Sequence, residues 1–341
     1  MDIRGLLPLS RRQPYIDSLH PIPTIKLDLH GLRVLDFHSH FPIQRGGDSR
    51  ASYTQSLISR YGEEKAQIIM ANSAHYRDEW RRKWGFDPPE NGAHSDEEQV
   101  ERWIADMDAK GLSRVNFVMG GGNDNLSEIV KMHPDRFTGF AHHDIFSEGA
   151  ASELERSVRK LGLRGLKLIA SGLTRPVDDK EAYPVWEMAE KLEVPVLIHF
   201  GVLGGGGGPA RSLHNLDPLS LWDVAASFPT LNFVIPHFGA CYFRELLQLC
   251  WACPNVLIDT SGSNQWMAWM PYRLTLRDLF LKCLETVGPD RIVFGTDSSY
   301  FPRGFAVDYL REQLREVRGI GVGEEIVEKI FYGNAARLLR L

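Results

Sequence analysis

Short apolar runs alternate along this chain with stretches whose apolar residues recur at helical spacing. Runs rich in Val, Ile, Leu and Phe occupy 34–38, 114–118, 137–141, 165–169, 194–199, 231–236, 255–258 and 291–295. From residue 97 onward, amphipathic segments lie near 97–110, 125–133, 150–161, 181–192, 217–227, 241–251, 275–286 and 306–317. A short run that is apolar throughout reads as a strand buried on both faces, and its alternation with helices reads as parallel βα units. Eight such units predict an α/β fold, a closed (β/α)8 TIM barrel, with an open doubly wound sheet as the alternative. The barrel would gather every strand's C-terminal end at one mouth, whereas an open sheet would spread those ends along a crevice.

Two regions break the rhythm. Within residues 1–33, Ile25-Lys26-Leu27-Asp28-Leu29 alternates before a turn at His30-Gly31, which predicts an N-terminal hairpin leading into the first barrel strand. Residues 41–96 are too long for an ordinary βα loop, and a helix-like stretch runs through Tyr76, Trp80 and Trp84. They read as a lid or an oligomer-contact insertion after strand one. The expected organisation is an extension over 1–33 and one barrel domain over 34–341. Gly204 to Gly208 is the one low-complexity tract; it lacks the Gly-Lys-Ser/Thr ending of a phosphate-binding loop and reads as a flexible lid edge.

Composition narrows the class of partner. The 341 residues suit a single barrel with insertions, and a net charge of −5 spread without long runs leaves no basic patch for nucleic acid. The four cysteines, Cys241, Cys250, Cys253 and Cys283, fall late and form no disulfide framework, which fits a reducing compartment. Near the N-terminus, Arg4, Arg11, Arg12 and Asp17 surround only a short apolar patch from Gly5 to Leu9. That patch is too short for a secretory core or a membrane span. The expectation is a soluble cytoplasmic protein acting on a small molecule, with no membrane partner.

The chemistry concentrates at strand ends. In Val34-Leu35-Asp36-Phe37-His38-Ser39-His40, two histidines end an apolar run at spacing i, i+2, which on a strand puts both on one face roughly 6–7 Å apart. Two imidazoles so placed can converge on one metal ion, at Zn–N distances of about 2.0–2.1 Å. His199 ends Val196-Leu197-Ile198-His199, His237 ends Val234-Ile235-Pro236-His237, and Asp297 follows Phe294-Gly295-Thr296. Taken singly, a strand-end histidine is more often a hydrogen-bonded structural residue, and Asp297 could cap the next segment. Five such residues at four strand ends favour a metal site, because burying each without a partner would cost about 1–3 kcal/mol.

These residues form a recognisable set. His-x-His on strand one, His on strands five and six, and Asp on strand eight resemble the amidohydrolase superfamily. Asp36-Phe37-His38-Ser39-His40-Phe41-Pro42, Ile198-His199-Phe200-Gly201, Pro236-His237-Phe238-Gly239, Gly295-Thr296-Asp297 and the C-terminal Tyr332-Gly333-Asn334-Ala335-Ala336-Arg337-Leu338-Leu339 resemble its amidohydrolase-2 branch. That branch includes decarboxylases related to aminocarboxymuconate-semialdehyde decarboxylase. The resemblance spans about residues 34–341. It implies one divalent ion, usually zinc with manganese as the alternative, held by His38, His40, His199 and Asp297. His237 would stand beside the metal as a proton shuttle or electrostatic stabiliser, and a homodimer would be the assembly.

Other residues carry weaker signals. Lys167 lies on strand four, where binuclear superfamily members carry a carboxylated lysine between two metals; here it reads as a substrate-carboxylate partner or an internal salt bridge. Arg45 follows strand one and could clamp a substrate carboxylate in bidentate fashion, or be a solvated loop arginine. His142 and His143 follow strand three and read as structural or pocket-lining. Trp266, Met267 and Trp269 after strand seven would roof an aromatic substrate or bury a subunit contact. Cys250-Trp251-Ala252-Cys253 has the spacing of a redox pair but falls at a helix end, where a thiolate gains no stabilisation.

The leading expectation is a metal-dependent hydrolase acting through an activated water on a small cyclic or aromatic carboxylate, amide, ester or lactone. Asp297 would orient that water and accept its proton, and His237 would stabilise the developing charge or serve the leaving group. The alternative is non-oxidative decarboxylation of an aromatic or unsaturated acid at the same site. A non-catalytic metal-binding barrel is a third reading, and it would require a lost catalytic residue.

Overall fold

The computed structural model describes residues 31–42, 48–90, 92, 94–202 and 213–341. Its eight strands are β1 (Leu35–His40), β2 (Arg114–Met119), β3 (Phe137–Gly139), β4 (Leu166–Ile169), β5 (Val196–His199), β6 (Phe233–Ile235), β7 (Val256–Asp259) and β8 (Ile292–Val293). Each lies within two residues of its expected run at either end. Pairing is parallel and follows chain order, through β1-β2-β3 and through β4 to β8. Backbone hydrogen bonds cross both remaining seams. Between β3 and β4, Ala141 N donates to Gly165 O at 2.8 Å and Lys167 N to Ala141 O at 2.7 Å. Between β8 and β1, Phe37 N donates to Phe294 O at 3.0 Å, Asp297 N to His38 O at 2.7 Å and His40 N to Ser298 O at 2.7 Å. The strands therefore close into a barrel, and the open-sheet alternative falls.

Closure follows from the apolar runs. Leu35, Phe37, Val118, Phe140, Leu197, Val234, Leu257 and Val293 meet in one buried cluster inside the ring. An open sheet would leave no such enclosed interior for them. The helices are α1 (Asp48–Tyr61), α2 (Glu63–Trp84), α3 (Asp96–Lys110), α4 (Asn123–Met132), α5 (Ala150–Arg159), α6 (Tyr183–Leu192), α7 (Trp222–Ser227), α8 (Phe243–Ala252), α9 (Leu276–Val287), α10 (Val307–Ile320), α11 (Glu324–Glu328) and α12 (Asn334–Leu339). Local signals start two of them: Ser95 with Glu98 and Thr275 with Asp278 form reciprocal capping boxes at α3 and α9. A π-helical turn over Lys329–Gly333 joins α11 to α12, and α12 adds Ala335, Leu338 and Leu339 to the core cluster.

The insertion after β1 is helical. Trp80, on α2, donates its indole N–H to Ser263 Oγ at 3.2 Å, the Phe86 ring meets Tyr309 at 5.8 Å, and Glu90 N donates to Phe301 O at 3.1 Å. Ser263 follows β7, and Phe301 follows β8, so these contacts tie the insertion to the loops at the mouth. The expected hairpin within 1–33 and the Gly204–Gly208 tract lie outside the described residues, apart from 31–33. Among the described residues, no helix is long and apolar enough to cross a membrane.

The β3–β4 seam tolerates little. A Cβ built on Gly165 would meet the Phe140 ring at 2.6 Å, closer than carbon atoms pack. Gly165→Ala is expected to lower stability by about 1–3 kcal/mol, the usual range for overpacking a tight core. Urea denaturation checks this; an unchanged midpoint would mean that the seam yields freely.

Candidate metal centre and active site

The strand that carries His38 and His40 is not regular. Asp36 pairs with Val115 and Ser39 with Phe117, so three steps along β1 match two along β2. This bulge lets consecutive residues face inward: Phe37 packs in the barrel core while His38 reaches carboxylates on β7 and after β8. Asp36 braces the same region from the other face. Its buried carboxylate accepts from His38 N at 3.0 Å, Ser39 Oγ at 2.7 Å, Thr296 N at 3.0 Å and the Thr296 hydroxyl. Burial pushes its pKa up to about 7 against those hydrogen bonds.

The barrel brings His38, His40 and Asp297 together, with one ligand-type atom of each lying within 4.8 Å of the others. His40 Nε2 stands 3.0 Å from Asp297 Oδ1 and His38 Nε2 3.8 Å from the same oxygen. His199 is adjacent rather than part of this trio: its ring centroid lies 4.8 Å from that of His237, which lies 5.1 Å from that of His38. The buried Nε2 atoms of His38 and His199 have no hydrogen-bond partner. Orphaned acceptors of this kind are costly unless something satisfies them. Three imidazoles and a carboxylate suit a divalent ion such as zinc or manganese, so the residues present fit a metal.

Electrostatics agree with that use. Burial, then the charge of Lys167, hold the His38 imidazole well below its usual range, and burial with the neighbouring His237 does the same for His199. Both are therefore neutral at neutral pH, the form that can ligate. Desolvation pushes the Asp297 carboxyl up, but a side chain 41 % open to the mouth limits that effect. The hydrogen bond from His40 and the charges of His237 and His40 prevail and hold it well below the usual carboxylate range.

Two buried residues absent from the sequence-based set organise this cluster. Asp259 ends β7, and its Oδ2 lies 2.7 Å from His38 Nδ1. The His38 Nδ1–H donates there, which turns the lone pair of Nε2 toward the trio. Ser261 Oγ stands 2.9 Å from Asp259 Oδ2, 3.1 Å from His38 Nδ1 and 2.9 Å from His237 Nδ1. Burial raises the Asp259 pKa to about 6, opposed by His237 and by the hydrogen bonds from Ser261. The signal for Asp259 was present: Val256-Leu257-Ile258-Asp259 is one more apolar strand ending in a polar residue.

Backbone strain gathers at the same place. His237 and Asp297 adopt φ of 58° and 60°, the left-handed region that side-chain-bearing residues seldom occupy, and Phe238, Ala240 and Cys241 follow at 49°, 45° and 89°. Trp266 secures the turn by donating Nε1–H to His237 O at 3.1 Å. Trp266 is buried, whereas Trp269 is 53 % exposed. Gly295 permits the close approach of β8, since a Cβ there would meet Asp259 Oδ1 at 2.7 Å and His38 Cβ at 2.9 Å.

Lys167 is 2 % exposed on β4, and burial lowers its pKa to about 8 against the pull of Asp297 and Asp259. Arg45 lies outside the described residues. His142 Nδ1 donates to Lys167 O at 2.9 Å and His143 Nε2 to Ala150 O at 3.0 Å, both structural uses. Cys250 and Cys253 are buried, and burial pushes the Cys250 thiol up to about 12, far from a reactive thiolate.

An enclosed barrel with imidazoles and a carboxylate at its mouth defines a metal-dependent enzyme scaffold. A model of the amidohydrolase family matches residues 35–341, so the chain belongs to that family of enzymes. Among curated proteins, it is 27 % identical over 265 residues to the decarboxylase orsB of Emericella nidulans, covering 64 % of this chain and 75 % of that protein. To gamma-resorcylate decarboxylase of Polaromonas sp. it is 25 % identical over 293 residues, covering 72 % and 85 %. Among solved structures, 5-carboxyvanillate decarboxylase of Novosphingobium aromaticivorans, complexed with manganese and 4-hydroxy-3-methoxy-5-nitrobenzoic acid, superposes with a TM-score of 0.58 at 17 % identity, covering 92 % and 97 %.

Asp259→Asn keeps the size of the side chain but removes the charge facing His38. Affinity for a divalent ion is expected to fall about 10–100-fold, the usual effect of losing a carboxylate behind a ligating histidine. Competition with a chromophoric chelator reads this directly, and unchanged affinity would remove Asp259 from the site.

Proposed function

We propose that this chain is a metal-dependent, non-oxidative decarboxylase of an aromatic or unsaturated carboxylic acid. The observation that carries this reading is the His38, His40 and Asp297 trio in a barrel whose relatives, at about a quarter identity over most of their length, are mostly decarboxylases, with a hydratase among them. The hydrolytic reading draws only on the superfamily at large. His38, His40, His199 and Asp297 would hold one divalent ion, zinc by the donor set or manganese by the solved relative. When bound, that ion supplies positive charge that fixes the substrate's oxygen atoms in place.

The chain's own residues supply the rest. Loss of carbon dioxide breaks a carbon–carbon bond and leaves its electron pair on the substrate carbon, which then takes up a proton. His237 would deliver it. Its Nδ1–H is engaged by Ser261, whose carbonyl oxygen lies at 3.1 Å and whose hydroxyl lies at 2.9 Å, leaving Nε2 as the exchangeable position. Lys167, with a pKa near 8, is mostly an ammonium at neutral pH and supplies positive charge for the substrate carboxylate.

A panel of hydroxybenzoates, unsaturated acids and lactones, assayed for both carbon dioxide release and hydrolysis, tests the proposal. Carbon dioxide release that chelator abolishes and a divalent ion restores is the expected result; hydrolysis without carbon dioxide would overturn it. His237→Ala is expected to lower kcat by about 100- to 10,000-fold, the usual range for a general acid, while metal content stays near that of the parent. Loss of the metal in that variant would make His237 a ligand instead.

A further inference from the structure

The loop after β8 carries an arginine that touches both the mouth and the helical insertion. Arg303 donates Nη2–H to the main-chain oxygen of Asp297 at 2.9 Å, with Ser299 Oγ at 3.4 Å. Its guanidinium carbon stands 4.7 Å from the centre of the Tyr300 ring, 5.2 Å from that of Phe86 and 5.9 Å from that of Trp80. All three lie within the roughly 6 Å over which a cation is drawn to an aromatic face. The buried Nε has no hydrogen-bond partner, which leaves the Nη2 bonds and the ring contacts to hold the group. The loop itself is pinned by α3. Lys110 Nζ donates to Arg303 O at 3.0 Å and to Phe305 O at 2.9 Å, and Asp106 accepts from Phe305 N at 2.7 Å.

We propose that Arg303 is a positioning residue: it holds Asp297 in its left-handed turn, and so makes the affinity of the mouth for a divalent ion depend on the docked insertion. The inference rests on the reading of Asp297 as a metal ligand. Asp297 has φ of 60°, a conformation that persists in a residue with a side chain only where its surroundings fix it. Its amide donates to His38 O at 2.7 Å and its carbonyl accepts from Arg303, so the peptide planes on both sides of the residue are held. Releasing the carbonyl would let the turn relax toward commoner backbone and swing the carboxylate away from His38 and His40. A guanidinium suits this task, because its plane stacks on rings while its fork donates; a lysine ammonium does only the second.

Trp80 lies on α2 and Phe86 just beyond it, so the docking of the insertion and the geometry of Asp297 share one side chain. Such a coupling is reciprocal: an ion that favours the held Asp297 also favours the docked insertion.

Competition between the protein and a chromophoric chelator for manganese, read on Arg303→Met, Arg303→Lys, Trp80→Leu and Asp297→Ala, tests the positioning. Arg303→Met is expected to weaken manganese binding by about 10–100-fold, as loss of a ligand's support does, and Asp297→Ala by at least as much. Arg303→Lys, which keeps a donor, is expected between Arg303→Met and the parent. Trp80→Leu is expected to weaken binding by about 2- to 30-fold, the worth of one cation–ring contact. Hydrogen exchange over residues 76–90 supplies a readout that a merely structural role would not move. Saturating manganese is expected to slow exchange there in the parent but not in Arg303→Met. An Arg303→Met variant that binds manganese as the parent does, or whose exchange over 76–90 still slows with the ion, overturns the inference and leaves the metal site standing. Unchanged affinity in Asp297→Ala overturns the reading of Asp297 as a ligand, and the inference with it. If Arg303→Met does not fold, Trp80→Leu decides: parental affinity in that variant overturns the inference.

Discussion

The candidate site depends on the seam where the last strand meets the first. One backbone hydrogen bond, from Asp297 N to His38 O at 2.7 Å, joins a carboxylate delivered by the end of the chain to an imidazole delivered near its beginning. Beside it, His40 N reaches Ser298 O at 2.7 Å, and the Asp36 carboxylate takes both the amide and the hydroxyl of Thr296. Residues more than 250 positions apart thus have no independent freedom at the mouth. The geometry of the candidate metal site is a consequence of ring closure.

Closure sets the backbone, and the buried polar residues behind it set the side chains. Asp259 and Ser261 connect His38 and His237 through hydrogen bonds of 2.7–3.1 Å in a space sealed from water. One hydroxyl thereby touches both a candidate ligand and the candidate proton donor. The positive φ at His237 and Asp297 shows that the chain holds these two residues in uncommon conformations. Such strain persists only where surrounding contacts over-determine it, as Trp266 does for the His237 turn.

Much of this was legible in the residues themselves. Continuous apolar runs betray doubly buried strands, and polar residues ending those runs betray a mouth, so the barrel and the convergence of His38, His40 and Asp297 could be anticipated. What could not be read has identifiable physical causes. The bulge in β1 is a change of register with β2, and no local pattern near Phe37-His38 announces a partner strand's register. Ser261 gains its role only because ring closure leaves β8 alone between β7 and β1, a relation that spacing along the chain does not express. Trp266 looked like a candidate roof because its burial against His237 depends on the course of the loop. The helical turn structure after α10 is likewise dictated by packing beneath β1 and β8 rather than by a strong local period. The balance between hydrolysis and decarboxylation was open because one set of ligands serves both, and the relatives favour the second.

The central claim is that four side chains hold a single divalent ion at the barrel mouth. Anomalous diffraction from crystals grown with manganese tests it most directly. The expected result is one peak per chain, coordinated by His38, His40, His199 and Asp297, with His237 beside it but not bound. No peak at the mouth, or two peaks bridged by Lys167, would contradict the single-ion site.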